Sequence, residues 1–201
     1  KSGVGSQWMD TLGPVKIGKP TLLPDVISRD HELSIEKSPY LVNDALVVKP
    51  GVKLTINAGT VIWFNSLGMI VKGELQILGT RDDPVRLSSL DRTSWKGIIL
   101  DRSSSENKIR FCTISNAEFG FRASQSNISI QNSRFQDNVW GVVMEACKVE
   151  ILNSLIRTSI KTGVAAHKTQ LLIKNSVITE NGSGGILLEN SQARIEQNNI
   201  L

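Results

Sequence analysis

Gly120-Phe-Arg-Ala…Ile128-Ser-Ile130-Gln-Asn132-Ser-Arg-Phe135 returns as Gly141-Val-Val-Met…Val149-Glu-Ile151-Leu-Asn153-Ser-Leu-Ile156. It returns again as Gly163-Val-Ala-Ala…Leu171-Leu-Ile173-Lys-Asn175-Ser-Val-Ile178, and then as Gly185-Ile-Leu-Leu…Ala193-Arg-Ile195-Glu-Gln197-Asn-Asn-Ile200. The glycines are 21, 22 and 22 residues apart. A fixed period of this length, built from three short apolar runs, is the mark of a solenoid of strands. Within each run the alternation is period two and β-branched residues are frequent, so strands are expected rather than helices.

The same pattern extends toward the N-terminus. Leu46-Val47-Val48, Val52-Lys-Leu54-Thr-Ile56 and Val61-Ile-Trp-Phe64 read as one turn of strands. Met69-Ile-Val71, Leu75-Gln-Ile77 and Val85-Arg-Leu87 read as the next, and Trp95-Lys-Gly97-Ile-Ile-Leu100 opens a third. Leu54/Leu75 and Ile56/Ile77 keep the spacing of 21. Residues 1–40, with Pro14, Pro20, Pro24 and Pro39 and no strong periodicity, are expected to form an extended lead-in that covers the first coil. The solenoid proper is expected over 41–201. Asp101–Asn107 is the clearest polar loop.

Three strands per turn stack each strand on its equivalent one turn on, ~4.8 Å away. Columns of side chains follow. One is expected to run Thr113, Asn132, Asn153, Asn175 and Gln197, since Asn tolerates the left-handed turn and its amide can bond the amide above. The glycine column fits a bend that needs positive φ. Inward columns are expected at Ile98, Phe121, Val142, Val164 and Ile186, and at Phe111, Ile130, Ile151, Ile173 and Ile195. Cys112 aligns with Gln131 at an outward position. Cys147 aligns with Ser126, Thr169 and Ser191, a small-residue turn column that reads as packing rather than catalysis, so two free thiols are expected.

The 201 residues allow one elongated unit, and the net charge of +4 is dispersed without a basic stripe, so no nucleic-acid partner is expected. Two histidines exclude a His-rich metal site. No apolar run approaches the ~20 residues of a membrane span, and no signal-peptide pattern opens the chain. Because the chain starts at Lys1 without Met, a leader or upstream region is expected. Leu201 falls inside a repeat, so either the natural chain continues or two chains meet there end to end.

Ser38-Pro-Tyr-Leu-Val42, Pro50-Gly-Val-Lys-Leu-Thr-Ile56, Gly59-Thr-Val-Ile62, Gly73-Glu-Leu75, Pro84-Val85 and Trp95-Lys-Gly-Ile98, followed by the Asn-bearing coils, carry a family resemblance. From Ser38 onward the chain resembles right-handed parallel β-helix proteins of the pectin-lyase-like superfamily, in particular bacterial envelope members. The resemblance implies an all-β, single-stranded right-handed parallel β-helix with three short strands per coil of about 22 residues. It also implies an extracytoplasmic address, periplasmic or at the cell surface. It leaves function open, because that superfamily holds lyases, hydrolases, epimerases, adhesins and inert scaffolds.

Two surface columns carry candidate chemistry. Four residues after each glycine stand Asp101, Ser124, Glu145, His167 and Glu189. Glu145, His167 and Glu189 on successive rungs supply a base and an acid for a sugar ring bound across the coils, or ligands for a divalent cation. Polar columns are also the ordinary outside of such a fold. The Asp clusters, Arg base and Asp-Pro-His motif of the superfamily's enzymes are missing, and Asp82-Asp83-Pro84 is followed by Val85 where His would be needed. No resident cofactor is expected. Two residues after each glycine the outward column is instead apolar: Ile99, Arg122, Val143, Ala165 and Leu187, with Trp95 and Trp140 at neighbouring edge positions. Such a stripe marks a contact with a protein, a sugar face or a covering loop. The expected function is a non-catalytic module that binds a polysaccharide or an envelope protein along one face. A polysaccharide-active enzyme and a structural spacer are the alternatives.

Overall fold

The computed structural model describes residues 19–91, 94–103 and 106–201. The chain winds through three all-parallel sheets, here A, B and C, visited in that order on every turn. Among the described residues sheet A has nine strands and sheets B and C have eight each, which makes eight complete coils. Leu54 pairs with Leu75 and Ile56 with Ile77, as their spacing required. The solenoid also begins earlier than the apolar pattern does. Thr21–Leu22, Val26–Ile27 and His31–Leu33 already pair in parallel with the strands of the second coil. Of residues 1–40, read as extended cover, 19–39 therefore supply coil 1 and Tyr40 opens coil 2, while 1–18 lie outside the described residues. Of the polar stretch 101–107, Asp101 closes a strand and Glu106 opens the next, with 104 and 105 outside the description.

Alternation puts one face of every strand inside. Ile98, Phe121, Val142 and Val164 stack in one inward column of sheet B, all fully buried, with Ile186 packed against the core. On sheet C the buried column is Ile109, Ile130, Ile151 and Ile173. Ile109 takes the place expected for Phe111, which is a correction of two residues. Phe111 sits at the corner, with φ 48°, in line with Asn132, Asn153, Asn175 and Gln197 at φ 49–55°. Thr113, assigned to that corner, pairs with Arg134 in sheet A. The same slip moves Cys112 inward: it pairs with Val85 and is buried, rather than lying outside with Gln131. In the coil that holds Cys112, the corner residue is an aromatic rather than an amide, so it gave no turn signal to fix the register.

From Arg102 onward the coils turn their corners on single residues in the left-handed region, and these are seldom glycines. The repeat glycines 120, 141, 163 and 185 are absent from the positive-φ residues, which corrects the expectation for that column. They are small because a Cβ would strike the next coil: 2.6 Å from the Gly141 carbonyl at Gly120, and 2.2 Å from the Gly163 carbonyl at Gly141.

Hydroxyl ladders run beside the corners and satisfy backbone N–H groups that the sheets leave over. The N–H groups of Cys112, Ser133 and Ser154 donate to the Oγ atoms of Ser133, Ser154 and Ser176 one coil on, at 3.1–3.2 Å. The hydroxyls of Ser133, Ser154 and Ser176 donate back to the carbonyls of Gln131, Leu152 and Lys174. A second ladder holds the Cys147 column. Cys147 N–H donates to Thr169 Oγ1 at 3.2 Å and Thr169 N–H to Ser191 Oγ at 3.0 Å, while Cys147 Sγ donates to the Glu145 carbonyl. Both cysteines are free and buried, and burial pushes both thiols up from their ordinary pKa. Thiolate chemistry is suppressed at both.

Candidate functional site

The outer face of sheet B carries both candidate columns. The paired strands run Val26, Val47, Ile70, Ile99, Arg122, Val143, Ala165, Leu187 from coil 1 to coil 8, one residue per rung. Their alternation with buried neighbours points every one of them outward. The expected stripe of Ile99, Arg122, Val143, Ala165 and Leu187 is therefore continuous and longer than its repeats indicated. Seven of its eight members are aliphatic, and Val26 and Leu187 are 44% and 55% exposed. Val26, Val47 and Ile70 escaped the sequence reading because coils 1 and 2 lack the phased glycine and Ile70 lies 29 residues before Ile99; Gly68, two residues before Ile70 as Gly97 is before Ile99, was the signal that could have found it.

The aromatic residues divide. Trp140 is half-buried beside Val143 with the Lys161 ammonium 4.8 Å from its ring centre. Phe119 pairs with it one rung back and lies 5.2 Å under the Arg122 guanidinium. Trp95 is different, and its placement on this surface is corrected. It is fully buried, stacked on Phe64 at 4.0 Å and 9°, with Nε1 donating to the Ser115 carbonyl at 2.9 Å. Strict alternation back from Ile99 would send Trp95 outward. The register breaks between Gly97 and Ile98, where Gly97 takes φ 91°, and the added half-step turns Trp95 into the core.

The polar column keeps its expected register. Asp101 pairs with Ser124, Ser124 with Glu145, Glu145 with His167, and His167 with Glu189. Its geometry is loose. His167 Nδ1 is 3.9 Å from Glu145 Oε1, and the Glu145 side chain is 57% exposed. No Glu189 ion pair to His167 is formed among the described residues. Among those residues, too, no three His, Cys, Asp or Glu side chains gather at metal-holding distance. The Glu145–His167 pair is open and solvated on the outer face of the sheet.

Sheet C presents a shallow, open groove over Lys148, Glu150, Gln170, Leu172, Gln192 and Arg194. It was not foreseen. Arg194 pairs with Glu196 and holds its carboxyl below the ordinary carboxylate range, and Lys174 adds to the same network. No helix among the described residues is long and apolar enough to cross a membrane.

A long three-sheet parallel solenoid with an apolar outer column is the class this geometry defines. Residues 77–201 match the family model described as the right handed beta helix region, and the chain belongs to that family. It is also similar to Protein bark beetle of Drosophila melanogaster, 30% identical over 103 residues, which cover 45% of this chain and 3% of that protein. The chain thus spans a small fraction of that relative's length. No solved structure matches it.

Proposed function

We propose that this β-helix is a non-catalytic binding module whose outer sheet B face engages a partner, a protein surface or a polysaccharide, in an extracytoplasmic setting. One observation carries the reading: the outward column from Val26 to Leu187 is aliphatic on seven of eight rungs, where an unpartnered sheet face would be polar. Aliphatic side chains favour a protein occupant, since sugars are met mainly by aromatic rings and hydrogen-bonding groups. The address rests on the resemblance of the coils to envelope proteins.

The test replaces Val143 and Leu187 with Asp and measures self-association, binding to candidate envelope proteins and retention on a glycan array. Loss of association, with the circular dichroism of the sheets unchanged, is the expected result. Undiminished association in every assay would remove sheet B from the account.

The enzyme reading keeps one favourable observation, the stacking of Glu145, His167 and Glu189 on successive rungs. It requires turnover of an acidic or neutral polysaccharide that His167→Ala abolishes.

A further inference from the structure

The two outward columns of sheet B are complementary to themselves when reversed. Beside the apolar column lies the polar one, whose members from coil 2 to coil 8 are Lys49, Lys72, Asp101, Ser124, Glu145, His167 and Glu189. Lys49 and Lys72 follow the inward Val48 and Val71 and are exposed, as are Glu145 and Glu189. The column is thus cationic over coils 2 and 3 and anionic over coils 6 and 8, while Asp101 of coil 4 is paired with the Arg102 guanidinium.

We infer that sheet B is the interface of a twofold dimer, two copies of this chain packed face to face with their solenoid axes antiparallel. The inference rests on sheet B being an interaction face and names the partner. A twofold axis in the plane between the faces, parallel to the strands and level with the gap between coils 4 and 5, maps coil n of one copy onto coil 9 − n of the other. Each column then meets its own reverse. Apolar rungs oppose apolar rungs: Ile70 faces Val143, Val47 faces Ala165, and Val26 faces Leu187. In the polar column Lys72 faces Glu145 and Lys49 faces His167, with Glu145 and Glu189 on either side. Arg122, the lone charge among the apolar rungs, comes level with Ile99 and its neighbour Asp101. A twofold parallel to the solenoid axes would reverse the strand direction instead, so the apolar and polar columns could not both meet their own kind.

The size suits a reversible dimer. Eight rungs at ~4.8 Å give a face about 34 Å long, and the two outward columns, three residues of strand, give about 10 Å of width. Roughly 700 Å² is buried in total, the small size of a weak, transient contact.

Sedimentation equilibrium across micromolar concentrations reads the result. The wild-type chain should dimerise, and Val143→Asp should raise the dissociation constant about 30-fold, the effect of a charge at the centre of an interface. Lys72→Glu alone and Glu145→Lys alone, both at exposed positions, should each weaken the dimer about tenfold. The double variant K72E/E145K should restore it, because a twofold interface rebuilds both pairs with their signs exchanged. A monomeric wild-type chain overturns the inference, and so does a dimer indifferent to the single reversals. A monomer that still loses glycan or protein binding in Val143→Asp overturns the dimer and leaves the binding face standing. No change in any association overturns both.

Discussion

Asn153 holds φ at 49° where the chain leaves sheet C for sheet A, and it is exposed there. Its side chain is not buried in the core, so its contribution is conformational: an L residue in the left-handed region costs about 1–2 kcal/mol unless its side chain tolerates it. Asn153→Gly is expected to leave stability within a few tenths of a kcal/mol. Asn153→Val should cost about 1–2 kcal/mol. Urea denaturation of both variants checks this, and equal midpoints would show that the corner is not strained. Corners of this kind were legible only where the residue type announces them. Asn132, Asn153 and Asn175 did so, whereas Ala146, Thr158, Lys168 and Phe111 take φ of 48–52° with no such mark. They are held there by the sheets on either side. Thr158 has local support, its hydroxyl donating to Asp137 Oδ1 at 2.7 Å and accepting from the Asp137 N–H at 3.0 Å.

The strand Trp95–Asp101 shows at element scale why alternation alone misplaced a side chain. Period two gave the right face for Ile98, Ile99 and Leu100 and the wrong one for Trp95, because the break at Gly97 shifts phase between them. A conformation near φ 91° is open to glycine, and a Cβ at Gly97 would lie 1.6 Å from the Phe119 carbonyl oxygen. Nothing in composition distinguishes this glycine from the phased ones, which serve close approach at ordinary φ. Trp95→Ala should destabilise by about 3–5 kcal/mol, since a fully buried ring would leave a cavity against Phe64. Trp95→Phe should cost less, keeping the stack and losing the Nε1 hydrogen bond. Thermal unfolding orders the three proteins, and an unaffected Trp95→Ala variant would show that Trp95 is not in the core.

At the scale of the whole molecule each coil touches only its neighbours, so stability is a sum of coil and interface contributions. The period, the three strands per coil and most inward columns were legible because each is repeated, and repetition averages out local exceptions. The full outward apolar column was not, because over coils 1–4 its members Val26, Val47, Ile70 and Ile99 lie 21, 23 and 29 residues apart and leave the repeat's period. The nearest-neighbour architecture has its own consequence for a lesion in the middle. Ile151 is fully buried between Ile130 and Ile173 in the central column of sheet C. Ile151→Ala should cost about 2–5 kcal/mol. Its effect on amide exchange should be graded, with protection falling most in Lys148–Leu152, less in Asn127–Gln131 and Gln170–Lys174 on either side, and least in Glu74–Leu78. Uniform loss across all eight coils would mean that the solenoid unfolds as one cooperative block. Loss confined to the mutated strand would mean that the stacked columns carry little energy between coils, and the column-by-column account of the fold would fail with it.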